Sequence, residues 1–164
     1  MSKENRMKII TCRVNGKQET LCVDIRESLL DMLRNRLGLT SVKKGCEVGE
    51  CGACTVILDG ETIDSCIYLA VWADGKEITT LEGLLGPKGE LTRIQEAFIE
   101  EGAIQCGFCT PGFVLSAEVL LRRGEKLTRE TIKKYMAGNL CRCTGYHNIV
   151  NAVEKVNREQ IEES

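Results

Sequence analysis

Ten cysteines stand in this chain of 164 residues, and eight of them fall into two groups of four whose spacings leave few folds open. Cys46, Cys51, Cys54 and Cys66 read C-x4-C-x2-C-x11-C; Cys106, Cys109, Cys141 and Cys143 read C-x2-C, 31 residues, then C-x-C. Disulfides would need an oxidising compartment. The N-terminal residues Met1-Ser2-Lys3-Glu4-Asn5-Arg6 are polar with no apolar core of signal-peptide length behind them. The longest apolar run, Ile67 to Ala73, is too short to span a bilayer. The expectation is a cytoplasmic chain outside the membrane, with reduced thiols committed to metal or redox chemistry.

The first group has the plant-type spacing for a [2Fe–2S] cluster. One loop wraps the cluster closely and presents three sulfurs inward. Gly45, Gly49 and Gly52 let its backbone take left-handed turns and aim N–H groups at the anionic sulfurs. Cys66 arrives from a strand beyond the Asp59-Gly60 turn and ties the loop to a sheet. A structural zinc site is the competing reading, although zinc knuckles are usually paired and shorter. The second group is less diagnostic by spacing, and zinc stays open for it there. Both its halves flank expected helix ends, where free N–H groups and the helix dipole favour an anionic cluster. Beside the first group, it reads as a second cluster.

Around these groups the texture changes once. Asn15-Gly16 between two alternating runs, over residues 8 to 25, predicts a hairpin with Ile10, Cys12, Val14, Leu21, Val23 and Ile25 on one face. Cys22 then faces the other way, so Cys12 and Cys22 cannot bridge and read as ordinary strand residues. Ser28 with Asp31 caps a helix carrying Leu29, Leu33 and Leu37 and closed by Gly38. Thr55–Leu58 and Glu61–Val71 predict a second hairpin, and Glu77–Thr80 a short strand. Leu85-Gly-Pro-Lys-Gly-Glu90 breaks all periodicity and reads as a linker.

Four helices are expected beyond it: from Thr92 to about Glu101, from Thr110-Pro111 to Arg123, from Thr128 to about Gly138-Asn139, and from Asn148 to about Gln160. The fold class is therefore α+β, with a small mixed α+β domain over residues 1–84 and an all-α four-helix domain over 85–164. Domains this small, in a chain with 4% aromatic residues, need a staple, and the cysteines supply it. Twenty-two basic residues against 24 acidic ones, with no basic block, give no footprint for nucleic acid.

Three segments carry a family resemblance. Gly45-Cys-Glu-Val-Gly-Glu-Cys-Gly-Ala-Cys-Thr55, Gln105-Cys-Gly-Phe-Cys-Thr-Pro-Gly112 and Gly138-Asn-Leu-Cys-Arg-Cys-Thr-Gly-Tyr146 resemble the signatures of the small iron–sulfur subunit of molybdenum hydroxylases. The resemblance spans nearly the whole chain. It implies a plant-ferredoxin-like β-grasp domain followed by a helical domain, each binding one [2Fe–2S] cluster. Through Thr62-Ile-Asp-Ser-Cys-Ile-Tyr-Leu-Ala-Val-Trp-Ala73 and Gly75-Lys-Glu-Ile-Thr-Thr-Leu-Glu-Gly83 it looks nearest to the bacterial xanthine dehydrogenase type. The resemblance further implies electron transfer from a molybdopterin cofactor on a large subunit to FAD on a medium subunit. Gln105 would contact the pterin, and Cys143 would be the ligand lying against its amino group.

Nothing in the chain offers a dinucleotide or phosphate-binding loop, so substrate chemistry is expected on partners. His147 reads as a surface or capping residue, and Trp72 as core or interface. Three other readings stay open: the same subunit in an aldehyde, carbon monoxide or N-heterocycle enzyme, a free-standing two-cluster ferredoxin, or a zinc-stapled interaction module.

Overall fold

In the computed structural model, which describes residues 6–163, Asn15 and Gly16 both take positive φ, 51° and 77°. That is the mirror-image turn whose twist matches two strands. It joins β1 (Met7–Val14) to β2 (Lys17–Asp24) in the expected register, Val14 opposite Lys17 and Ile10 opposite Leu21. Cys12 lies buried opposite Glu19 and Cys22 exposed opposite Ile9, so the two thiols point apart. The polar segment Met1–Asn5 lies outside the described residues, as does Ser164.

Three further strands, β3 (Thr55–Leu58), β4 (Glu61–Asp64) and β5 (Glu77–Thr79), complete a sheet of order β2-β1-β5-β3-β4, with β1 and β5 parallel and the other pairs antiparallel. The second hairpin is shorter than its sequence suggests, since β4 stops at Asp64 rather than running to Val71. Ser65 is fully buried and both its N–H and its hydroxyl donate to the Cys54 carbonyl, at 3.4 and 2.7 Å. Ser65 thus keeps the β3–β4 register opposite Cys54, and the chain leaves the sheet just after it, where the Ile67 N–H closes a turn on the Asp64 carbonyl at 3.2 Å. The rest of the expected strand ends in a 3-10 turn, Ala70–Ala73.

Ser28 caps α1 (Leu29–Asp31), its oxygen accepting the Asp31 N–H at 3.0 Å. The helix then widens into a π-turn over Met32–Arg36, closed by Leu37 N–H on the Met32 carbonyl. The leucine spacing does not reveal this widening. It keeps Met32 and Leu33 buried while Arg34 reaches the Thr40 and Val42 carbonyls at 2.8 and 2.6 Å, holding the loop that follows. Val14, Val23, Leu29, Leu30, Val56 and Ile78 form part of the core between sheet and helix.

After a 3-10 turn at Leu81–Leu84, which sequence periodicity does not signal, and the irregular stretch at Leu85–Glu90, helices follow close to their expected places. They are α2 (Arg93–Glu100), α3 (Thr110–Leu121), α4 (Arg129–Met136) and α5 (His147–Glu162). The Gln95 carbonyl oxygen takes the Thr92 N–H at 2.8 Å, and the Thr128 hydroxyl takes the Thr131 N–H at 3.1 Å, so both helix starts are capped as their sequences predict.

Almost every side of α3 is buried, the mark of a helix enclosed by neighbours. Phe113, Val114 and Leu120 pack into the helical core, while Leu115 and Val119 pack on Ile57 of β3. One helix thereby fixes the helical half against the sheet.

Candidate metal centres

Residues 37–54 contain no regular element, yet short contacts hold their course. Lys43 N–H donates to the Ala53 carbonyl at 3.0 Å, closing the loop at its base. Lys44 bridges Asp31 of α1 and Glu47, at 3.2 and 3.0 Å. A methyl group at Gly45 would lie 2.9 Å from the Cys51 sulfur, so the chain passes there too closely for any side chain. Val48 and Glu50 point their N–H groups at the Cys46 sulfur, at 3.5 and 3.4 Å, and these donors draw the thiol down to about 7. Cys54 is buried beneath the loop, and burial pushes it up to about 12. Left alone it would keep its proton; a bound metal ion would favour the thiolate there.

The second site is assembled from two segments. Cys106 and Cys109 lead into α3, and Cys141 and Cys143 occupy the turn between α4 and α5. Cys143 and Cys106 are exposed, their sulfurs 3.7 Å apart. Cys109 and Cys141 lie deeper. Burial lifts Cys109 to about 12, whereas at Cys141 the hydroxyl and N–H of Thr144 outweigh burial and bring the thiol to about 7. An open cleft of about 400 Å3 lies over this site, lined among others by Phe108, Leu140 and Tyr146. Gln105 is exposed and directly precedes Cys106 in the chain.

The eight sulfurs meet two by two: Cys46 with Cys51, Cys54 with Cys66, Cys106 with Cys143, and Cys109 with Cys141. Among the described residues no three His, Cys, Asp or Glu groups are arranged to hold a single ion. Two pairs per site are what a [2Fe–2S] cluster takes, one pair to each iron. The donor set and the close-approach backbone at Gly45 fit that group.

Asn139 has a role that the sequence did not disclose, where it reads as a helix terminator. Its buried amide donates to the Gly52 carbonyl at 2.9 Å and to the Thr55 hydroxyl at 3.2 Å, and its oxygen accepts from Ser116 at 2.9 Å. The next residue, Leu140, donates its N–H to the Cys51 carbonyl at 2.9 Å. Gly52 takes φ +64°, and a methyl there would sit 2.5 Å from the Gly138 carbonyl. The two sites are thus joined backbone to backbone, between a residue of the first and the neighbour of Cys141. Sequence separation hides this contact; the one signal was Asn139 abutting the Cys141 pair. Trp72 is 56% exposed, which puts it on the surface rather than in the core, and His147 is exposed near Arg129.

A profile for a 2Fe-2S iron-sulfur cluster binding domain matches residues 12–81, and one for a [2Fe-2S] binding domain matches residues 80–154. The chain is 52% identical over 146 residues to the xanthine dehydrogenase iron-sulfur-binding subunit of Escherichia coli O157:H7, covering 88% of this chain and 91% of that one. It is 50% identical over 144 residues to the nicotine 6-hydroxylase small subunit of Paenarthrobacter nicotinovorans, covering 88% and 86%. Among solved structures, quinoline 2-oxidoreductase from Pseudomonas putida 86 superposes with a TM-score of 0.87 at 40% identity, covering 94% of this chain and 98% of that chain.

Proposed function

The chain belongs to the small iron–sulfur subunits of the molybdenum hydroxylases, and from that premise we propose that it is the electron-transfer subunit of a xanthine dehydrogenase-type oxidoreductase. In this reading it relays single electrons from a molybdopterin-binding large subunit to an FAD-binding medium subunit. Two [2Fe–2S] clusters supply the one-electron chemistry when bound.

The observation that carries the reading is the pairing of eight thiols in two sites joined by the Leu140 N–H and the Cys51 carbonyl. We assign Cys46 and Cys51 to one iron and Cys54 and Cys66 to the other in residues 1–84. In residues 85–164 we assign Cys106 with Cys143 and Cys109 with Cys141. Cys106 and Cys143 face outward beside Gln105, which suits the side turned to the pterin: Gln105 offers an amide to a heterocycle, and Cys143 offers the sulfur nearest it. Cys54 and the Asn139 bridge lie inward, where water is excluded. Among the described residues no helix is long and apolar enough to cross a membrane.

The test is composition first and activity second. The isolated chain should contain about four irons and four acid-labile sulfides and give two paramagnetic signals on reduction; zinc in their place would end the reading. The native complex should copurify with two larger chains and oxidise xanthine or hypoxanthine. Oxidation of aldehydes alone would keep the relay and replace the substrate.

A further inference from the structure

Tyr146 has φ +67° and follows Gly145 at φ +63°, so two successive residues take the left-handed conformation just after the Cys141–Cys143 turn. Gly145 adopts it without strain, but a tyrosine does so only where its surroundings impose it. The ring is held edge-on against the buried Phe113, with centroids 6.2 Å apart.

Four hydrogen bonds form a closed circuit at this turn. Cys141 N–H donates to the Tyr146 hydroxyl at 3.1 Å, and Tyr146 N–H donates to the Thr144 hydroxyl oxygen at 3.2 Å. That hydroxyl lies 3.1 Å from the Cys141 sulfur, and Thr144 N–H points at the same sulfur at 3.4 Å. Because Tyr146 N–H occupies a lone pair on the Thr144 oxygen, the hydroxyl proton is left to point at sulfur. The left-handed turn is what brings Tyr146 N–H to that place. At the other site, Cys46 takes its donors from the backbone, through Val48 and Glu50.

We infer that Thr144 and Tyr146 are positioning residues which lock a hydroxyl donor onto Cys141 and so raise the reduction potential of the helical-domain cluster relative to a site with that donor removed. The inference rests on the cluster reading above. One added electron makes the ligand sulfurs more basic, and a donor already aimed at one of them stabilises the reduced state more than the oxidised one. Tyr146 acts through Thr144, by fixing which way the hydroxyl points.

The experiment is a redox titration of the assembled holoenzyme followed by paramagnetic resonance, after iron and sulfide analysis of each variant. Thr144→Val keeps the shape and removes the hydroxyl. It should lower the potential of the helical-domain cluster by about tenfold in its one-electron reduction equilibrium, about 59 mV, and leave the other cluster where it was. Thr144→Ser should restore the potential, and Tyr146→Phe should shift it less than Thr144→Val. An unshifted potential in a Thr144→Val enzyme with full iron, or a Thr144→Ser shift as large as that of Thr144→Val, overturns the inference and leaves the cluster reading standing. Wild-type protein without iron overturns both.

Discussion

The two thiol sites are built on opposite plans. In the first, three sulfurs come from residues 46–54, a loop without regular structure, and the fourth from the turn after β4. In the second, the sulfurs arrive in two pairs from segments on either side of α3 and α4, and helices α2 to α5 have a core of their own, including Phe98, Phe113 and Ile132. Hydrogen bonds and ion pairs hold the loop, so it is expected to depend on a bound cluster for its shape more than the helices do. That difference follows from where apolar area is buried: each fully buried leucine or phenylalanine side chain contributes about 1.5–3 kcal/mol, and the loop has few of them to bury.

The largest effects separate the sites outright. Cys54→Ser should abolish the paramagnetic signal of the first cluster and leave the second, and Cys143→Ser should do the reverse. A folded Cys143→Ser protein lacking both signals would show that the sites are not independent and would break the comparison. Removing iron with a chelator sharpens it further. Amide exchange should accelerate strongly across residues 39–54 and little across α2 to α5, because binding energy that orders a segment is lost with the metal. Equal acceleration in both halves would mean that the helical core is not self-sufficient.

How much of this was legible beforehand divides along the same line. The first site was readable because its constraints are local: cysteine spacing, interleaved glycines and the Asn15-Gly16 turn each act within a few residues. The second site was readable as a motif, yet its spacing left zinc open and gave no pairing. Asn139 bonds to Gly52, 87 residues away, and no periodicity reports such a contact. The end of β4 was misplaced because the Ser65 carbonyl takes the Leu30 N–H at 3.0 Å and the Tyr68 carbonyl takes the Leu29 N–H at 2.7 Å, tertiary bonds to α1 that an alternating pattern does not report. The π-turn after α1 was missed because the leucine spacing is the same for an α- and a locally widened turn, and the Arg34 side-chain bonds to the Thr40 and Val42 carbonyls lie beyond the helix.

The bridge between the sites gives the next effect in size. Asn139→Ala removes the donor to the Gly52 carbonyl and the acceptor for the Ser116 hydroxyl, both buried, and should cost about 2–4 kcal/mol. Denaturant unfolding of the holoprotein measures it. A cost below about 1 kcal/mol would mean that water replaces the amide and that α3 alone joins the halves.

The smallest effect concerns the loop's outer support. Asp31 accepts from Ser28 at 2.9 Å and from Lys44 at 3.2 Å; burial works against its charge, but these donors prevail and hold the carboxyl below its usual range. A carboxyl lowered in the folded state contributes stability that is complete above the unfolded value, near 4, and fades as pH falls through the folded value. Asp31 is about one-third exposed, 34%, so Asp31→Asn should cost no more than about 1 kcal/mol at pH 7. The gap between wild-type and Asp31→Asn melting temperatures should stay constant from about pH 7 to about pH 5, because the contribution is full throughout that window. A gap that widens as pH falls between those values would place the folded pKa of Asp31 above its unfolded one, and Lys44 would then not be what holds the loop to α1.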